Sequence, residues 1–189
     1  MRFPRATHLV CCFQFKEDAE RFYDALIKRL AKFNLEIAEE KTKILTFGRF
    51  AADNSKRQGL GKPETFDFLG FTHYCSNSRQ GKFRVKRKTS RKKFKAKVKA
   101  FKLWLRAERN LGTEEIMKTV RRKLIGHYTY YGITDNSCMM DAYRFQVVKL
   151  LFKWLNRRSQ RRSFSFENFK LFLKRNPLPV PRIYVNIYG

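Results

Sequence analysis

The spacing of apolar positions changes along this chain. Residues 9–13, LVCCF, form a short unbroken apolar run, the pattern of a buried strand. Ala19, Phe22, Tyr23, Leu26, Ile27, Leu30 and Phe33 then recur at intervals of three and four, which predicts an amphipathic helix over residues 16–34. LEIAEEKTKILTF reads as a strand, a polar turn around Glu39 and Glu40, and a second strand. A polar loop, RFAADNSKRQGLGKPE, precedes two more strand-like runs, TFDFLGFTHYC and GKFRVKR, separated by the turn SNSRQG.

From there the period becomes helical. In TSRKKFKAKVKAFKLWLRAERN, Thr89 or Ser90 serves as N-cap, and Phe94, Val98, Phe101 and Leu105 fall within about 60° of arc. GTEEIMKTVRRKLIGHYTYYG reads as a second helix with Thr113 as N-cap, Glu114 and Glu115 at the end where the macrodipole favours acids, and Ile116, Val120, Leu124 and Tyr128 facing inward. MMDAYRFQVVKLLFKWLNRR is apolar around more than half its circumference, so this third helix is expected to be largely buried. Ser165 caps a short fourth helix, FENFKLFLKR, which Pro177, Pro179 and Pro181 end, and PRIYVNIY finishes extended. The predicted class is α+β. A strand-helix-strand unit with a hairpin occupies residues 1–88, and a helical bundle occupies residues 89–189.

Composition adds a partner to this outline. With 43% apolar residues in 189, the chain can build real cores. No apolar stretch of about 18 residues is present and the N-terminus lacks the apolar run of a secretory signal, so a soluble, cytoplasmic protein without a membrane partner is expected. Cys11, Cys12, Cys75 and Cys138 have neither CxxC nor zinc-finger spacing and are expected to be reduced packing residues. The formal net charge of +27 points to a polyanion, nucleic acid ahead of an anionic membrane. Up to Cys75 there are 13 Lys/Arg against 10 Asp/Glu, and from Ser76 onward 30 against 6, so a near-neutral unit is joined to a strongly basic one. On the first basic helix Lys88, Arg91, Lys95, Lys99, Lys102 and Arg106 form a stripe beside the apolar one, about 27 Å long. A solvated face normally mixes signs, whereas between Arg79 and Arg109 the only acid is Glu108.

Several of these segments carry a family resemblance. LVCCFQFKEDAERFYDALIKRLAKFNLEIAEEKTKILTFGRF followed by FDFLGFTHY resembles the later palm of reverse transcriptases encoded by bacterial group II introns, also called maturases. RKLIGHYTYYGI, LFKWLNRRSQRRSFSFENF and PLPVPRI are similar to the thumb and maturase region of the same proteins, in the same order. The resemblance covers nearly the whole chain after residue 8. It implies a partial polymerase palm with a primer-grip hairpin, followed by a basic α-helical thumb and maturase bundle. The intact family is an RNA-directed DNA polymerase that uses Mg²⁺. Its Tyr-Ala-Asp-Asp tetrad falls here on Arg5, Ala6, Thr7 and His8, so Thr7 and His8 stand where the two carboxylates belong. Two Mg²⁺ ions need hard anionic oxygen ligands to hold them about 3.5–4 Å apart, which a hydroxyl and an imidazole do not supply. Asp18, Asp24, Asp53 and Asp67 read as helix-surface, loop and primer-strand positions. The family's fingers and further palm carboxylate are expected to be missing upstream, and an endonuclease extension downstream. The expectation is a truncated chain with no catalytic residue, metal or cofactor of its own.

The same resemblance implies which residues bind. Phe68, Leu69, Gly70 and Phe71 match the primer grip, where a glycine turn lets backbone approach a strand closely; the plainer reading is an ordinary hairpin with a core aromatic face. Lys41 matches the palm lysine associated with the incoming nucleotide, and reads equally as a surface turn residue. The stripe on residues 88–106 would track a duplex backbone, and Arg157, Arg158, Arg161 and Arg162 fall in the region that binds intron RNA. Tyr128, Tyr130 and Tyr131 read as core aromatics, with base stacking as the alternative, and His73 and His127 as structural. Three functions follow: a module holding group II intron RNA or an RNA/DNA hybrid and inert as a polymerase; one half of a split polymerase completed by a separate N-terminal reverse-transcriptase fragment; or a nonfunctional remnant whose open palm aggregates.

Overall fold

The computed structural model describes residues 9–157 and 164–188. Among them the chain forms six α-helices and one three-stranded antiparallel sheet of order β1-β2-β3, a mixed α+β fold. The elements are α1 (Lys16–Ala31), α2 (Ala51–Arg57), β1 (Phe66–Phe68), β2 (Phe71–Asn77), β3 (Phe83–Thr89), α3 (Arg91–Ala107), α4 (Thr113–Tyr131), α5 (Ser137–Leu155) and α6 (Phe166–Arg175). No helix among the described residues is long and apolar enough to cross a membrane. The chain divides into two compact units, Met1–Leu69 with His73–Val85, and Gly70–Thr72 with Lys86–Gly189.

The first unit departs most from its sequence pattern. Residues 9–13 belong to no strand, and Leu9 is 64% exposed; an apolar run becomes a buried strand only where other strands flank it, and none does here among the described residues. The two strands expected around Glu39 and Glu40 are likewise unpaired, joined by a single 3-10 turn over Glu39–Lys41. Helix α1 stops at Ala31, before the expected residue 34, because Asn34 turns into the left-handed region at φ 54°. Glu17 and Asp18 in its first turn and Lys28 and Arg29 in its last complement the helix dipole, yet none of its residues is buried. Helix α2 sits inside the expected loop; it is seven residues long and buries only Ala51 and Ser55, too little apolar surface to show as a period. Packing concentrates near the sheet, where Phe66 meets Phe47 edge-on at 5.0 Å and stacks on His73 at 4.8 Å. The Cys75 thiol contacts the backbone of Gly48, while Cys11, Cys12 and Cys138 are exposed, contrary to their expected packing role.

Strands β1 and β2 are joined by Leu69 at φ 48° and Gly70 at φ 83°. Two successive positive φ values make the mirror-image turn whose twist matches a two-residue hairpin. Strands β2 and β3 close through the Ser78 side chain, which accepts from the Gln80 and Lys82 backbone N–H groups.

The second unit holds the core. Phe101 and Leu105 of α3, Ile116, Met117, Val120, Leu124, Tyr128 and Tyr131 of α4, and Met140, Tyr143, Val147 and Leu151 of α5 are buried together with Phe169 of α6. Helix α4 starts one residue earlier than its pattern implies: Gly112 is the N-cap, its carbonyl accepting from Ile116, and Thr113 is already helical. Helix α5 leaves Asp141, Phe145, Lys149 and Lys153 exposed in one i,i+4 row. Ser165 caps α6 by accepting from the Asn168 N–H at 3.2 Å. The final segment runs beside the end of α4, with Val185 bridging Ile133 and the Tyr184 N–H donating to the Gly132 carbonyl at 2.6 Å. A Cβ at Gly132 would collide with the Tyr128 and Arg182 carbonyls, which fixes glycine there.

One buried amide fastens this unit. Asn136, fully buried before α5, accepts at Oδ1 from the Thr89 N–H at 2.7 Å. Its Nδ2 donates to Thr89 Oγ1 at 2.9 Å and to the Tyr131 carbonyl at 2.8 Å. Thr89 is thereby engaged and Ser90 becomes the N-cap of α3, accepting from Lys93 N–H at 3.4 Å. Phe94 then meets Tyr143 edge-on at 6.4 Å, which brings α3 against α5. Replacing Asn136 with Ala strands the Thr89 N–H in the interior, where an unmet group costs about 1–3 kcal/mol, while the Tyr131 carbonyl keeps the Ile133 N–H as a donor at 2.9 Å. Asn136→Ala is expected to lower unfolding stability by about 1–3 kcal/mol in urea titration; a loss below about 1 kcal/mol would contradict this role.

Candidate nucleic-acid interface

Helix α3 carries the candidate interface. Its apolar side seats Phe101 and Leu105 in the core, with Phe94 and Val98 packed against it. On its outer side Arg91, Lys95, Lys99, Lys102 and Arg106 are all exposed, in the stripe that the sequence predicts, and Lys88 is exposed at the end of β3. The structure adds Lys92, Lys93 and Lys97, also exposed, so bases cover most of the solvent-facing circumference rather than one stripe. Tallying every exposed position around the helix, instead of seeking a narrow row, would have found them.

The electrostatics of α3 run against helix stability. Its first turn contains no acid and three bases, Arg91, Lys92 and Lys93, at the positive end of the macrodipole. Lys95 lies one turn from both Arg91 and Lys99, a like-charge arrangement that weakens a helix. Among the described residues no base of α3 is paired with an acid. The first unit differs, with Lys16–Glu20 at 3.2 Å, Arg21–Asp18 at 3.0 Å and Lys41–Glu40 at 3.6 Å. A row of uncompensated cations held on a rigid element is suited to neutralising successive phosphates of a nucleic-acid backbone.

Gly70 and Phe71 lie at the foot of this helix. The Gly70 carbonyl accepts from the Ser90 N–H at 2.9 Å, and a Cβ on Gly70 would sit 3.2 Å from the Tyr131 hydroxyl and 3.7 Å from the Lys93 side chain. Phe71 lies parallel to Tyr130 at 6.1 Å and edge-on to Tyr131 at 5.2 Å. Phe68 and Leu69 belong to the first unit, where Phe68 packs near His73 at 6.4 Å and Leu69 is 59% exposed. A leucine held in the left-handed region costs about 1–2 kcal/mol, so the hairpin tip is a strained and exposed apolar point. Lys41 lies on the surface 3-10 turn of the first unit, beside Glu40. Arg157, just past α5, is exposed with its guanidinium 5.5 Å above the Trp154 ring. Arg158, Arg161 and Arg162 lie outside the described residues, as do Arg5, Ala6, Thr7 and His8.

No three His, Cys, Asp or Glu side chains among the described residues stand close enough together to hold a metal ion. Asp18, one of the candidate carboxylates, is engaged with Arg21.

The aromatic candidates separate by burial. Tyr128 and Tyr131 are core residues, and only Tyr130 is exposed. His73 is stacked in the first unit, and His127 lies against Tyr143 at 3.8 Å with neither ring nitrogen hydrogen-bonded. Burial, with Lys97 nearby adding to it, holds the His127 pKa down to about 4 from its ordinary 6.5. Burial also pushes the Tyr143 hydroxyl up to about 12.

Because an unfolded chain takes up this proton near pH 6.5 and the folded chain does so only near 4, the unfolded state binds more protons between those values. The stability of the second unit should therefore fall as pH drops from 6.5 towards 4 and then level off. Urea midpoints measured for the wild type and His127→Phe across this range should converge or cross as the pH falls; a constant difference would show that His127 titrates alike in both states. The functional assignment rests on this geometry, since no family model, curated protein or solved structure matches the chain.

Proposed function

We propose that this chain is a nucleic-acid-binding module of the kind formed by the late palm, thumb and maturase region of group II intron reverse transcriptases, one that holds structured intron RNA or an RNA/DNA hybrid without adding nucleotides itself. The observation that carries this reading is α3, a seventeen-residue helix whose outward bases have no acidic partner among the described residues. Evolution of an uncompensated cationic row against helix stability makes sense where a polyanion completes it. The primer-grip comparison is supported by the strained, exposed Leu69 and the close backbone at Gly70. Thr7 and His8, in the positions where the resemblance implies two metal-binding carboxylates, are the reason that binding is proposed without polymerisation.

A second reading is favoured by α1, which carries an apolar side yet buries none of its residues. Here a separate polypeptide would cover the first unit and supply the remaining palm, fingers and carboxylates. Primer extension that appears only when such a chain is added would favour it.

The first reading is tested with Lys95→Gln, Lys99→Gln and Lys102→Gln combined. Removing three phosphate contacts should weaken binding to an RNA/DNA hybrid and reduce the slope of log affinity against log salt by about 2–3. An unchanged slope would remove α3 from the interface, and primer extension by the unaccompanied wild-type protein would overturn the non-polymerase assignment.

A further inference from the structure

A second basic row lies on α5, apart from the α3 array. Phe145, Lys149, Lys153 and, one step past the helix, Arg157 succeed one another at four-residue intervals, all exposed. Each step advances about 6 Å, so the row spans about 18 Å. Phe145 is 63% exposed, whereas the other aromatic residues of α5 are buried, Tyr143 and Trp154, or half-buried, Phe152. The only acid on α5 is Asp141, one turn before Phe145 and near the helix start, where the dipole favours it. Among the described residues neither Lys149 nor Lys153 is paired with an acid. A lone exposed phenylalanine is ordinary on a protein surface. One at the head of a row of uncompensated cations combines the two elements of a single-strand site, an aromatic platform for a base and charges that follow the backbone.

We propose that the outer row of α5 binds an unpaired stretch of nucleic acid, Phe145 stacking on one base while Lys149, Lys153 and Arg157 take successive phosphates. This rests on the reading of the chain as a nucleic-acid-binding module and adds a site of a different kind. Inside a duplex the base faces are already stacked, so the Phe145 ring selects for a single strand, whereas the wholly cationic α3 array makes no such demand.

The test compares wild-type protein, Phe145→Ala, Phe145→Trp and the double variant Lys149→Gln, Lys153→Gln on a single-stranded RNA oligomer and on an RNA/DNA hybrid duplex. Phe145→Ala is expected to weaken single-strand binding about tenfold while leaving duplex binding within about twofold, and Phe145→Trp to bind the single strand like the wild type. The lysine double variant should lower the single-strand salt slope by about 1.4. If Phe145→Ala and the lysine double variant both bind the single strand like the wild type while the triple α3 variant is weakened, the α5 site is refuted and the module reading stands. Equal loss on both ligands for Phe145→Ala refutes the stacking role. A wild-type protein that binds neither ligand refutes the site and the reading together.

Discussion

Holding like charges in a row is the constraint around which the second unit is organised. Four i,i+4 pairs along α3, Arg91 with Lys95, Lys93 with Lys97, Lys95 with Lys99 and Lys102 with Arg106, together oppose the helix by about 1–2 kcal/mol. Burial of Phe101 and Leu105 supplies about 3–6 kcal/mol in the other direction, so packing outweighs repulsion. The helix is then fixed at its start by the Ser90 cap and by Asn136, whose amide reaches from the α4–α5 turn to Thr89. The cations are thereby presented on a rigid support and are not neutralised by the protein.

The two units solve the folding problem unequally. The second has a continuous core shared by four helices, with Leu105, Ile116, Leu124 and Leu151 wholly shielded from solvent. The first leaves Leu9, Phe15, Phe33 and Phe50 largely exposed, and its helix α1 contributes nothing to a buried core. Its order comes mainly from aromatic packing around Phe66, the turn closed by Ser78, and exposed ion pairs that contribute little each. A surface of this kind is suited to being covered, which is why the second functional reading attaches to this unit alone.

What the sequence makes legible follows from how local each signal is. The hairpin of β2 and β3, the presence of α3 and α5 and the Ser165 cap depend on residues close in the chain, and their periods or caps are visible directly, whereas the run TFDFLGFTHYC reads as one strand and is split by the turn at Leu69 and Gly70 into β1 and β2. The stripe on α3 is legible for the same reason. Thr89 and Ser90 are chemically equivalent as caps until Asn136, 47 positions later, occupies one of them. Whether residues 9–13 make a strand depends on neighbours that their own sequence does not specify. Helix α2 is too short to display a period, and the cationic row of α5 is hidden within a helix whose apolar majority dominates any reading of its composition.

The most direct test of the central claim, that nucleic acid lies along α3, is lysine-reactivity footprinting of the protein with and without a saturating RNA/DNA hybrid. Protection of Lys95, Lys99 and Lys102, with Lys16 and Lys28 of α1 remaining reactive, is the predicted result. Equal protection at α1 and α3, or none at α3 while the hybrid is bound, would contradict it.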